Sequence, residues 1–131
     1  MTTLIAFLVS IVASMVLAQP SAAAVVNGGT VKVGTPVTGK VAVAGQDIQY
    51  SFAATQGHHL TFNITATSWK PGTAYLHFYN PTGSRQYYCQ LTATPRSCDF
   101  TPNATGTWTR TRTIKLDPTG DTTGRMTMVL V

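Results

Sequence analysis

The chain contains no glutamate, and its only carboxylate side chains are Asp47, Asp99, Asp117 and Asp121. Acid/base hydrolysis by a carboxylate pair needs two acids at a defined separation, and four aspartates set mostly in turn-like contexts offer little for it. Histidine is confined to His58, His59 and His77, and cysteine to Cys89 and Cys98. No nucleophile elbow, phosphate-binding loop or metalloprotease helix motif occurs. No stretch shows the apolar period of an amphipathic helix. The sequence therefore assigns no catalytic residue and no cofactor.

Charge is sparse and of one dominant sign: nine Lys and Arg against four acids give a formal +5. The basic residues are scattered and become denser only at Arg110, Arg112 and Lys115, which falls short of a nucleic-acid-binding stripe. Nucleic acid is excluded as a partner on this ground. An anionic cell-wall polymer, a polysaccharide or a protein stays compatible, and so does a bare solubility charge.

No charged side chain precedes Lys32, and Leu4 to Ala18 is an apolar run of signal-peptide length, short for a membrane span. Small residues follow, so cleavage is expected after Ala18 or, preferably, after Ala23 or Ala24. The leading Met-Thr-Thr carries no Lys or Arg, which leaves a misassigned start or an uncleaved anchor as the alternatives. The expected organisation is a signal peptide over 1–24 and a single domain over 25–131, secreted, with no membrane association after cleavage. A domain of this size buries only about two thirds of its unfolded surface, and export to an oxidising compartment allows a covalent staple. Cys89 and Cys98, separated by a turn-prone segment and lacking zinc-like spacing, are read as a disulfide.

What the chain has in abundance is threonine, 23 residues, with Val, Tyr and Phe common and Leu scarce. That mixture favours pleated strands. Short alternating runs occur at Val31/Val33, Val37/Val41, Ile48/Tyr50/Phe52, Leu60/Phe62/Ile64, Leu76/Phe78 and Met126/Met128/Leu130. Turn clusters separate them: Asn27-Gly28-Gly29, Gly45-Gln46-Asp47, Gln56-Gly57-His58, Lys70-Pro71-Gly72, Asn80 to Gly83 and Pro102-Asn103. The spacing predicts an all-β, antiparallel, jelly-roll-like β-sandwich. From Trp108 to Leu116 a straight strand would point Arg110 and Arg112 toward the core; a bulge near Thr111, or an overhang of the strand's first half beyond the sheet, would resolve this.

The order YSFAATQGHHLTFNI, YLHFYNPTG, GTW and LDPTGDTTGRMTMVL resembles the bacterial pre-peptidase C-terminal domain family in the form found in exported actinobacterial proteins. The match runs over Tyr50 to Phe52, Ala54 to Gly57, Leu60 to Ile64, Leu76 to Gly83, Gly106 to Trp108, Asp117 to Gly124 and Thr127 to Leu130. The resemblance implies a jelly-roll sandwich that accompanies exported enzymes, without an active site to carry over. About four extra residues lie between Trp108 and Asp117, and the organisation expected above includes no catalytic domain beside the module.

Candidate sites are few. If Leu76 and Phe78 face the core, Tyr75, His77 and Tyr79 face outward together as a candidate ligand-stacking strip for sugar rings or a peptide; Trp69, Tyr87, Tyr88 and Trp108 could extend it. Cross-strand aromatic packing is the competing explanation. Asp117 and Asp121 bracket a turn and are the calcium candidates, although calcium needs six to eight oxygens and turn geometry alone explains the motif. His58, His59 and His77 could meet as zinc ligands only if the fold gathers them, so no metal is assigned. The function expected is a small secreted non-catalytic module that binds a ligand or assists a partner. The alternatives are a structural or interaction protein of the cell surface without a small ligand and, third, an exported hydrolase or inhibitor.

Overall fold

The computed structural model describes residues 25–102 and 109–131. The leader, the Gly106 to Trp108 motif and Trp108 as an aromatic candidate lie outside the described residues, as do the side chains of Thr109 and Arg110. Nine strands are described: β1 (Val26–Val31), β2 (Val37–Val41), β3 (Ile48–Thr55), β4 (Leu60–Lys70), β5 (Ala74–Tyr79), β6 (Arg85–Leu91), β7 (Arg96–Phe100), β8 (Thr109–Pro118) and β9 (Thr123–Leu130). They form a five-stranded sheet in the order β1-β3-β8-β5-β6 and a four-stranded sheet in the order β2-β9-β4-β7. The protein is an all-β sandwich. Among these strands only β5 and β6 are neighbours both in sequence and in the sheet, so the chain crosses repeatedly between layers, as a jelly roll does.

Alternation in the sequence produces the two layers. Ile48, Tyr50, Phe52 and Ala54 of β3 are buried, and so are Leu76 and Phe78 of β5, Ile114 and Leu116 of β8, and Met126, Met128 and Leu130 of β9. Their strand neighbours point to the outer faces. At the centre, the Phe52 ring packs edge-on against Phe62, Phe78 and Phe100 at centroid distances of 5.5, 6.5 and 6.3 Å. Such pairs contribute about 0.5–1.5 kcal/mol each beyond the area they bury. Cys89 of β6 and Cys98 of β7 are disulfide-bonded, Cα–Cα 6.0 Å, linking an edge of one sheet to an edge of the other. Closing so short a loop contributes roughly 2–3 kcal/mol, largely by restricting the unfolded chain.

Four expectations need correction. Asn27-Gly28-Gly29 is not a turn before the first strand but a register shift inside β1, which pairs with β3 in parallel, so the sandwich is not wholly antiparallel. Gly28 is required there because a Cβ would run into the Tyr50 ring. Val33 stays outside the core, 72% exposed. In β8 there is no bulge at Thr111: the register with β3 is unbroken from Ile48↔Leu116 to Thr55↔Thr109. Arg112 therefore points inward and is 2% exposed. The overhang is real on one side, because β5 pairs with β8 only as far as Tyr79↔Thr113. In the space left beyond β5, the Arg112 guanidinium lies 6.0 Å from the Phe100 ring centroid and its Nη1 donates to Gln86 Oε1 at 3.1 Å. A cation over an aromatic face with a hydrogen-bond acceptor is a tolerable way to bury arginine.

Candidate functional site: an aromatic and polar sheet face

Because Leu76 and Phe78 are buried, Tyr75, His77 and Tyr79 do lie on the outer face of β5, each half-buried. Register brings β6 beside them: His77 pairs with Tyr88, Tyr75 with Gln90 and Tyr79 with Arg85. The His77 ring is the hub. It stacks on Tyr75 at 6.0 Å and 23°, and lies 6.5 Å from both Tyr79 and Tyr88. Tyr88, 54% exposed, packs edge-on to Tyr75 at 6.1 Å and carries the Arg85 guanidinium over its face at 5.2 Å. The rings thus pack on one another and still leave a platform open at Tyr88.

The other proposed extensions of this strip go elsewhere. Trp69 is 5% exposed in the core, and Tyr87 packs partly buried against Phe78 and Phe100. Both lie on the inward side of their strands.

On the other flank β8 supplies charge. His77 pairs with Lys115 and Tyr75 with Asp117. Arg85 Nη1 lies 3.4 Å from His77 Nδ1. A guanidinium can only donate, so Nδ1 accepts and the imidazole proton sits on Nε2, which lies 3.5 Å from Asp117 Oδ2. Burial holds the His77 imidazole below the usual histidine range; Asp117 opposes this, and Arg85 and Lys115 add to it. Burial, and then the neighbouring Asp47 carboxylate, push Asp117 upward. Lys115 Nζ pairs with Asp47 Oδ2 at 3.1 Å, and that hydrogen bond raises the lysine. A hollow of about 300 Å³ opens beside Tyr79 between Gln49, Gly83, Thr113 and Lys115.

The other candidates are not gathered into a site. Asp117 turns toward His77 and Asp47, while Asp121 sits exposed in the β8–β9 turn. His59 lies just before β4, beside β7, with Nε2 3.2 Å from Asp99 Oδ1 and Nδ1 3.1 Å from Thr101 Oγ1. Among the described residues no three His, Cys, Asp or Glu side chains converge as metal ligands would. Sequence reasoning missed Asp47, Gln49, Arg85 and Lys115 as parts of this face. They come from three separate strands and a turn, and only the register joins them to β5.

No family model matches the chain, and no curated protein matches it significantly. Two of the solved structures that share its fold are informative. One is the pre-peptidase C-terminal domain of a collagenase from Bacillus anthracis, 8% identical, covering 83% of this chain and 96% of that one, with a TM-score of 0.56. The second is a periplasmic inhibitor of g-type lysozyme from Aeromonas hydrophila, 12% identical, covering 82% of this chain and 100% of that one, with a TM-score of 0.51. The fold expected from YSFAATQGHHLTFNI, YLHFYNPTG and the closing LDPTGDTTGRMTMVL is therefore the fold of a solved pre-peptidase C-terminal domain; at these identities the likeness shows the fold alone. The disulfide suits an oxidising compartment. No helix among the described residues is long and apolar enough to cross a membrane.

Proposed function

We propose that the protein is a small, secreted, non-catalytic β-sandwich module, with a signal peptide over 1–24 and a single domain over 25–131, that binds a polysaccharide on the outer face of the five-stranded sheet. The observation that carries this reading is the cluster of Tyr75, His77, Tyr79 and Tyr88 on an outward sheet face. Aromatic rings held at fixed angles offer apolar faces to sugar rings at small entropic cost, since each has only two side-chain torsions to order. Hydroxyls at the ring edges and the Asp117 carboxylate supply polar partners for sugar hydroxyls. Small β modules accompany a collagenase or inhibit a lysozyme in the structures that share this fold, which supports a binding or accessory role without naming the ligand.

The test is retention of the folded protein on insoluble cell-wall and plant polysaccharides. Wild type is expected to be retained, with Tyr88→Ala and Tyr75→Ala each weakening binding about five- to tenfold, the effect of losing roughly 1–1.5 kcal/mol of stacking. Wild type and both variants washing through alike would instead favour a structural or interaction protein whose rings serve only to pack β5 against β6.

A further inference from the structure

Resting on that reading, we propose that the aromatic cluster is one end of a longer track that takes a neutral glycan chain laid across the strands, not a single sugar and not an anionic polymer. Register places five outward residues in one row over the whole sheet: Tyr88, His77, Lys115, Gln49 and Asn27, from β6, β5, β8, β3 and β1 in turn. A parallel row runs Arg85, Tyr79, Thr113, Ser51 and Thr30. Five strands at about 4.8 Å spacing span about 19 Å, the reach of several sugars. Two hollows lie along this path. The first, about 300 Å³, adjoins the aromatic cluster at Tyr79 and reaches Gln49. The second, about 490 Å³, continues from Gln49 past Tyr50 and Ser51 to Asn27 of β1 and to Val25 just before that strand. Gln49 lines both.

The lining changes along the track as a neutral glycan would require. Rings stand at the β6 and β5 end, while at the β3 and β1 end amides and hydroxyls predominate, beside Val25 and Tyr50. There Gln49 is exposed and the Thr30 and Ser51 hydroxyls lie 3.2 Å apart. Of the charges between them, Lys115 is paired with Asp47, and Asp117 faces the Nε2 of His77 at 3.5 Å. Arg85 is occupied by His77 Nδ1 and the Tyr88 ring. Two cations and two carboxylates on this face cancel, so the excess of positive charge in the chain lies elsewhere and leaves the track without an attraction for anions.

Titration calorimetry of the whole secreted protein with neutral β-linked oligosaccharides, cellulose- and chitin-derived, from monosaccharide to hexasaccharide, tests this. Affinity is expected to rise with chain length and then level off, and to be indifferent to added salt. Gln49→Ala and Ser51→Ala should each weaken the longest chains about tenfold, as losing one or two ligand hydrogen bonds does, and leave disaccharides unaffected. Tyr88→Ala should weaken every length. Affinity that is independent of length yet sensitive to Tyr88→Ala would overturn the track while leaving the aromatic site standing. Binding to poly(glycerol phosphate) in preference to the neutral chains, with a steep loss on adding salt, would overturn the neutral ligand. Binding to no glycan at all would remove both readings.

Discussion

Tyr50 shows how one side chain constrains several elements. It is 1% exposed, and its hydroxyl has no hydrogen-bond partner among the described residues. Gly39 stands in the middle of β2 because a Cβ there would strike that hydroxyl and the Leu116 side chain. Burial pushes the phenol up to about 12. An unsatisfied buried hydroxyl costs roughly 1–3 kcal/mol, whereas the ring beneath it contributes normally to the core. Tyr50→Phe is therefore expected to keep the fold and raise its stability by about 1 kcal/mol in urea denaturation at neutral pH. The sign at alkaline pH follows from linkage. Between the ordinary tyrosine value near 10 and the raised folded value, the unfolded chain loses a proton that the folded one keeps, so stability falls as pH rises through that window. The variant should lack this part of the alkaline loss. A Tyr50→Phe protein less stable than wild type at pH 7 would mean that the hydroxyl has a partner after all.

At the scale of elements, the closing strand and its neighbour are fitted to each other by one irregularity. The β4–β9 register slips between Thr65 and Ser68, and Ala66 in the extra segment takes a φ of +48°. Past the slip, Trp69 faces Gly124, whose φ of +152° and lack of a Cβ let the Ser68 carbonyl approach. A Cβ on Gly124 would collide with that carbonyl and meet the Trp69 ring at 2.8 Å. Gly124→Ala should thus destabilise by more than about 2 kcal/mol, combining strain with a displaced core tryptophan. Ala66→Gly relieves a left-handed alanine worth about 1–2 kcal/mol, against about 0.5–1 kcal/mol of added chain entropy. It should leave the melting temperature unchanged or raise it. The two variants measured side by side check the assignment, and equal losses from both would contradict it. The glycine in GDTTGRMTMVLV was legible as a turn residue, yet its reason lies in β4, some sixty positions away. The same holds for the sheet face. Alternation revealed that Tyr75, His77 and Tyr79 share a side, because that is local and has period two. It could not reveal Lys115 or Gln49 beside them, since cross-strand neighbours follow from register. For Arg112 the pattern exposed the conflict and offered an overhang as one resolution, but that the long side chain folds over Phe100 in the room left there follows only from packing.

Taken as a whole, the molecule carries its charge unevenly. On the five-stranded face two cations and two carboxylates balance in number, but on the four-stranded sheet Lys40 of β2 stands directly opposite Arg125 of β9, with Lys70 near the same end of β4. All three are exposed, and none enters an ion pair among the described residues. With only four carboxylates in the chain, none was placed to neutralise them. Like charges directly across a strand pair cost about 0.2–1 kcal/mol. The penalty must shrink as the Debye length falls from roughly 30 Å at 0.01 M salt to roughly 3 Å at 1 M. Arg125→Ser should therefore be more stable than wild type by several tenths of a kcal/mol in urea at low ionic strength, with the difference closing at high salt. Urea is required because guanidinium would itself screen the charges. An Arg125→Ser protein that is less stable at both salt concentrations would show that the arginine's aliphatic stem matters more than its charge. In that case the scattered basic residues would be serving as cover for the sheet, and the asymmetry of charge between the two faces would have no energetic consequence.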